Sequence, residues 1–76
     1  MSAPEPRDVA IRPAEDMIRL GQFLKLSGEV PSGAEAKELL AAGQVSVNGE
    51  VDVRRGRQLH RGDVVLVEGE APLRVA

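Results

Sequence analysis

The chain reads as an α+β protein in which two short helices pack on a small antiparallel β-sheet. Ser32 and Glu35 stand at the spacing of a capping box, at the head of a stretch with helical apolar periodicity. Val45, Val47, Val51 and Val53 then switch the period to two around Asn48-Gly49, the preferred pair for a two-residue hairpin turn. With 76 residues and no cysteine, the chain has room for one domain whose core must hold without disulfides.

Taken in order, the first sixteen residues hold three of the five prolines and show little periodicity. Residues 1–7 are expected to be a disordered tail, and residues 8–76 a single domain. "DVAIR" and "MIRL" are short strand candidates. Leu20, Phe23, Leu24 and Ser27 recur at helical spacing and Gly28 supplies a stop, so helix one is expected over 21–27. Helix two is expected over 33–42, with Ala36, Leu39, Leu40 and Gly43 on its inner face and Gly43 as its left-handed terminator. The hairpin alternation is read as continuous across the turn, which puts Val51 and Val53 inside with Val45 and Val47. A buried strand over 64–68 and "LRVA" complete the sheet.

The longest apolar run, Val64–Val67, is far below the roughly 20 residues that span a bilayer, and no signal peptide is apparent. A soluble, cytoplasmic, monomeric protein of bacterial style is expected, with no membrane partner. Without cysteine, the single His60 cannot build a metal site, and no cofactor is expected. There is one Phe and no Trp or Tyr, so base stacking on exposed rings is excluded as a binding device; Phe23 is read as core. No nucleophile–base pair or phosphate-cradling glycine loop suggests an enzyme.

Charge is the informative feature. The formal net charge is -2, yet Arg54–Arg61 holds four of the ten basic residues and no carboxylate. Solvated surface loops usually interleave both signs. Four arginines offer planar donor forks that match phosphate oxygens, so the segment points to a polyanion, with nucleic acid the first candidate. Which of Arg54 and Arg55 faces a ligand stays open, because Gly56 interrupts the alternation.

The leucine-bearing helix, "SGAEAK", "AGQVSVNG" and "LHRGDVV" occur in the order and spacing of the RNA-binding domain first seen in small-subunit ribosomal protein four. The chain resembles this S-four domain, with its two-helix αL motif, over roughly residues 17–68. "VRRGRQLHRGD" is most similar to the small stand-alone bacterial members. The resemblance implies a non-catalytic module that docks helix two and the adjoining hairpin on structured RNA. That RNA would be ribosomal or tRNA-like, in a ribosome or a ribosome-assembly particle. Carried over by position, the RNA face would comprise Ser32, Gly33, Lys37, Gln44, Asn48 and the arginine segment, with Arg54, Arg55, Arg57 and Arg61. Lys25 adds a point charge. Neutral Gly33, Ala41 and Ala42, with Glu38 and Glu50, give helix two less positive charge than the family pattern. The alternative function is a protein–protein adaptor whose arginine patch meets an acidic partner.

Overall fold

The computed structural model describes residues 5–76. Strands β1 (Arg7–Val9) and β2 (Met17–Arg19) precede helices α1 (Leu20–Leu26) and α2 (Gly33–Ala41). Five strands follow: β3 (Val45–Val47), β4 (Glu50–Val51), β5 (Gln58–His60), β6 (Val64–Val67) and β7 (Leu73–Val75). One sheet has the order β1-β7-β6-β3-β4, and β2 pairs with β5 in a separate antiparallel ribbon. The α+β class is as expected, but the sheet is mixed. Strand β1 runs parallel to β7, with Arg7 opposite Leu73 and Val9 opposite Val75. A parallel pair needs a long crossover, and here nearly the whole chain supplies it. Residues 1–4 of the expected tail lie outside the described residues, whereas Arg7, placed in that tail, begins β1.

Helix α1 begins one residue earlier than its spacing suggests and buries Leu20, Gly21, Phe23 and Leu24. Helix α2 is capped by Ser32, whose Oγ accepts the Glu35 N–H at 3.3 Å. The reciprocal half of the capping box is not formed; Glu35 instead sets its negative charge in the first turn, where the helix dipole favours it. Ala36 and Leu40 are buried, Leu39 half-buried, and Gly43 ends the helix at φ +72°. Phe23, the one Phe in a chain without Trp or Tyr, is fully buried with Leu20, Leu24, Leu40, Val45, Val65 and Leu59. Among the described residues, no helix is long and apolar enough to cross a membrane.

The hairpin corrects the expected alternation. Asn48 and Gly49 both take positive φ, +50° and +89°, so the turn is the two-residue kind and Val47 stands directly opposite Glu50. Residues directly opposite in an antiparallel pair share a face. Continuing the ladder, Asp52 N–H donates to Val45 O at 3.0 Å, which turns Asp52 to the side of Val45 and Val47. Asp52 is accordingly 7% exposed, whereas Val51 and Val53 are 66% and 58% exposed. Parity reverses across a two-residue turn.

Asn48 holds this turn from three directions. Its N–H donates to Val64 O at 2.8 Å, its Nδ2 donates to Asp63 Oδ1 at 3.1 Å, and its Oδ1 accepts the Val64 N–H at 2.9 Å. Asn48→Ala removes both side-chain bonds and replaces asparagine with a residue that tolerates the left-handed conformation less well. It should cost about 1–3 kcal/mol, or roughly 4–8 °C of thermal midpoint per kcal/mol. Asn48→Gly, which relieves the backbone but not the lost bonds, should fall between. Thermal unfolding followed by circular dichroism checks the order; three equal midpoints would refute it.

Candidate nucleic-acid interface

The segment after β4 begins with a carboxylate that has been turned inward. Asp52 Oδ1 accepts the Arg54 N–H at 2.9 Å and Arg54 Nε at 3.1 Å, while Oδ2 accepts Arg54 Nη2 at 2.9 Å and Arg57 Nη1 at 2.8 Å. The Arg54 fork is the bidentate geometry of strong guanidinium–carboxylate pairs. Those bonds, Arg54 first, overcome burial and hold the Asp52 carboxyl well below the ordinary carboxylate range. Asp63 is also lowered. Burial opposes its ionisation, but the His60 N–H and the Asn48 amide outweigh it.

The main chain of residues 55–57 faces the other way, onto α1. Gly21 N–H donates to Arg55 O at 3.0 Å and Leu20 N–H to Arg57 O at 2.8 Å, while Arg19 Nη1 donates to Gly56 O at 3.0 Å. Three successive carbonyls of the turn thus satisfy donors at the start of α1, two of them helix N–H groups that have no acceptor within the helix. Carbonyls point in and guanidinium groups stay outside. The Arg55 side chain crosses Gly21 so closely that a Cβ there would lie 3.3 Å from Arg55 Cγ; its Nη2 ends 3.8 Å from where a Cβ on Gly33 would be.

This arrangement makes an open depression lined by Arg19, Gly21, Gln22, Lys25, Gly33, Arg55 and Gly56, with three cations and no carboxylate. The ion pairs among the described residues engage Arg7, Arg54, Arg57 and Arg74, leaving Arg19, Lys25 and Arg55 without an acidic partner. Lys25 and Lys37 each stand four residues beyond a glycine beside Arg55, on the stripes Gly21–Lys25 and Gly33–Lys37. A second depression on the other side of Gly56 is lined by Arg54, Arg57, Gln58, His60 and Asp63. There the arginines are balanced by Asp52 and Asp63.

The residues proposed from sequence therefore divide. Lys25, Gly33 and Arg55 come together, with Ser32 capping the same helix as Gly33 and Lys37 one turn along it. Arg54 and Arg57 lie beyond Gly56, held by Asp52. Arg61 is elsewhere: its Nη1 and Nη2 donate to Glu15 O at 2.8 Å and Arg12 O at 3.1 Å, stapling the turn before β2. Asn48 is engaged with Asp63 and Val64. Gln44 lines a different depression with Glu29, Glu35 and Glu38, on the acidic flank of α2. Sequence reasoning missed Arg19, Gln22 and Asp52. The hairpin count could have found Asp52; nothing local marks Arg19, whose contact with Gly56 spans 37 residues.

Comparison with known proteins gives a consistent family. Residues 11–75 match the family model described as S4 domain. The Bacillus subtilis (strain 168) protein RlbA, named a probable ribosome maturation protein, is 56% identical over 54 residues, 71% of this chain and 76% of that protein. The Escherichia coli (strain K12) protein YbcJ, named as a candidate RNA-binding protein, is 39% identical over 54 residues, 71% of this chain and 77% of that one. The crystal structure of the 30S ribosomal protein S4e from Thermoplasma acidophilum superposes with a TM-score of 0.57 at 26% identity. The match covers 75% of this chain but only 30% of the larger protein.

The lowered carboxyl of Asp52 sets an acid dependence. Above the unfolded-state value, near 3.9, its ionised form contributes its full stabilisation; as pH falls below that, the unfolded chain takes up the proton first and the contribution drains away. Asp52→Asn should lower stability at neutral pH by about 1–3 kcal/mol. It should also flatten the loss below pH 4, with Asp63 leaving a residual slope of the same sign. Urea unfolding from pH 7 to pH 3 measures both. Parallel curves for the two proteins would show that Asp52 does not carry the acid limb.

Proposed function

The chain belongs to the S4-domain family, and from that premise we propose that it is a non-catalytic module that docks on the phosphate backbone of structured RNA. The RNA is ribosomal or tRNA-like, met in a ribosome or ribosome-assembly particle, and the protein acts as a monomer. One observation carries the reading: the depression between α1 and α2 gathers Arg19, Lys25 and Arg55 with no acid among its lining residues. Forked guanidinium donors suit phosphate oxygens, and the first N–H groups of α2 add positive potential beside them. Lys37 extends this surface one helical turn along α2, and Arg54 and Arg57 extend it across Gly56. The family relationship and the names of the two bacterial relatives favour RNA over an acidic protein partner.

Recognition is by shape. With Phe23 inside the core and no Trp or Tyr in the chain, the one exposed aromatic ring is the His60 imidazole, too little for a stacking platform. Phosphate contacts position a protein without reading sequence, so affinity should be similar for folded RNAs that present the same backbone geometry.

A salt series of fluorescence-anisotropy binding to a folded ribosomal RNA fragment tests the charge map. If Arg19, Lys25 and Arg55 neutralise three phosphates, log affinity should fall with log salt at a slope of about -2 to -3. Arg55→Ala and Lys25→Ala should each reduce that slope by roughly 0.7–0.9. Arg61→Ala should lower thermal stability and leave the slope unchanged. A slope insensitive to Arg55 and Lys25 but lowered by Arg61→Ala would move the interface away from the α1–α2 depression.

A further inference from the structure

We propose that Asp52 is a positioning residue for RNA binding: a buried carboxylate that strengthens attachment to a polyanion by holding Arg54 and Arg57 in place. The inference rests on the RNA-binding reading above and concerns how the turn is prepared. Asp52 is 7% exposed and lies beneath the turn, so it has almost no surface to offer a ligand. Its two oxygens accept four N–H groups, one from the main chain and three from guanidinium groups. The Arg54 side chain nevertheless remains 67% exposed and that of Arg57 31%, so their outward N–H groups still face solvent beside the depression they share with His60.

Two effects of Asp52 on a phosphate ligand oppose each other. Its negative charge subtracts from the attraction, and losing it would steepen the salt slope by at most one contact, about 0.7–0.9. Its hydrogen bonds fix two long side chains before the ligand arrives. Ordering such a side chain at an interface costs a factor of about two to ten in affinity. With two arginines held on one carboxylate, and with the turn's main chain anchored by the same group through Arg54 N–H, the positioning effect is the larger.

The sign of the change therefore decides the matter. Anisotropy binding to a folded ribosomal RNA fragment would compare the unmodified protein, Asp52→Asn, Arg54→Ala/Arg57→Ala, and the triple variant. Each would be measured at a temperature where circular dichroism shows it folded. Asp52→Asn is expected to weaken binding about five- to tenfold although it makes the protein less acidic. In the background lacking Arg54 and Arg57 the same substitution should leave affinity unchanged or raise it. Equal or tighter binding by Asp52→Asn alone would overturn the proposal, as would an equal loss in both backgrounds, which marks a general effect on the fold. If Asp52→Asn does not fold, Asp52→Glu carries the same comparison: net charge is kept, so a loss that vanishes without the two arginines comes from their placement. Failure of the RNA-binding reading looks different, because the unmodified protein would then not bind, and the role of Asp52 would fall with it.

Discussion

A buried carboxylate must be given donors, and in this fold the donors come from the residues that follow it. Asp52 faces inward because the Asn48-Gly49 turn pairs Val47 with Glu50. An ionised group in that position is tolerated only when its lone pairs are taken up, and Arg54 and Arg57 take them. That requirement bends the chain into the tight turn whose carbonyls meet Arg19, Leu20 and Gly21. Hairpin, turn and first helix are thereby joined through polar contacts at one corner, beside the buried Leu20. The cleft beside α2 follows from this corner, because Arg55 can cross Gly21 only when its own main chain is seated on α1.

What could be read from the sequence was what short-range chemistry decides. Ser32 as a cap, Gly43 as a terminator, Asn48-Gly49 as a turn and Phe23 as core all depend on neighbours within a few residues, and the structure has them in those roles. The error at Val51 and Val53 was one of counting: an alternation drawn straight through a two-residue turn changes face. The arginine segment was legible as a charge cluster but not as three separate destinations. Arg61 reaches carbonyls nearly fifty residues earlier in the chain, Arg55 reaches the starts of two helices, and Arg54 and Arg57 turn back on Asp52. Parallel pairing of β1 with β7 was equally out of reach, since it joins the two ends of the chain and leaves no local trace.

Arginine-rich segments are commonly weighed by their formal charge. Here that weighting misleads, because carbonyl oxygens and an inward carboxylate engage three of the four guanidinium groups. Arg55 has no carboxylate partner among the described residues, and its neighbours in the cleft, Arg19 and Lys25, come from the part of the chain before the arginine segment, where acids outnumber bases. The cleft is a product of tertiary structure, assembled where Gly21 lets the Arg55 side chain lie close across α1 towards the start of α2.

Helix α2 separates two kinds of surface. On one flank are Gly33 and the cationic cleft; on the other, Glu29, Glu35, Glu38 and Gln44 line an acidic depression. A body with opposite poles experiences a torque in the field of a polyanion before it touches it. Under the proposed RNA-docking function, the protein is turned cleft-first on approach and its acidic flank is repelled before contact. Orientation is thus set during approach, so a larger share of encounters arrive in a geometry that can proceed to docking.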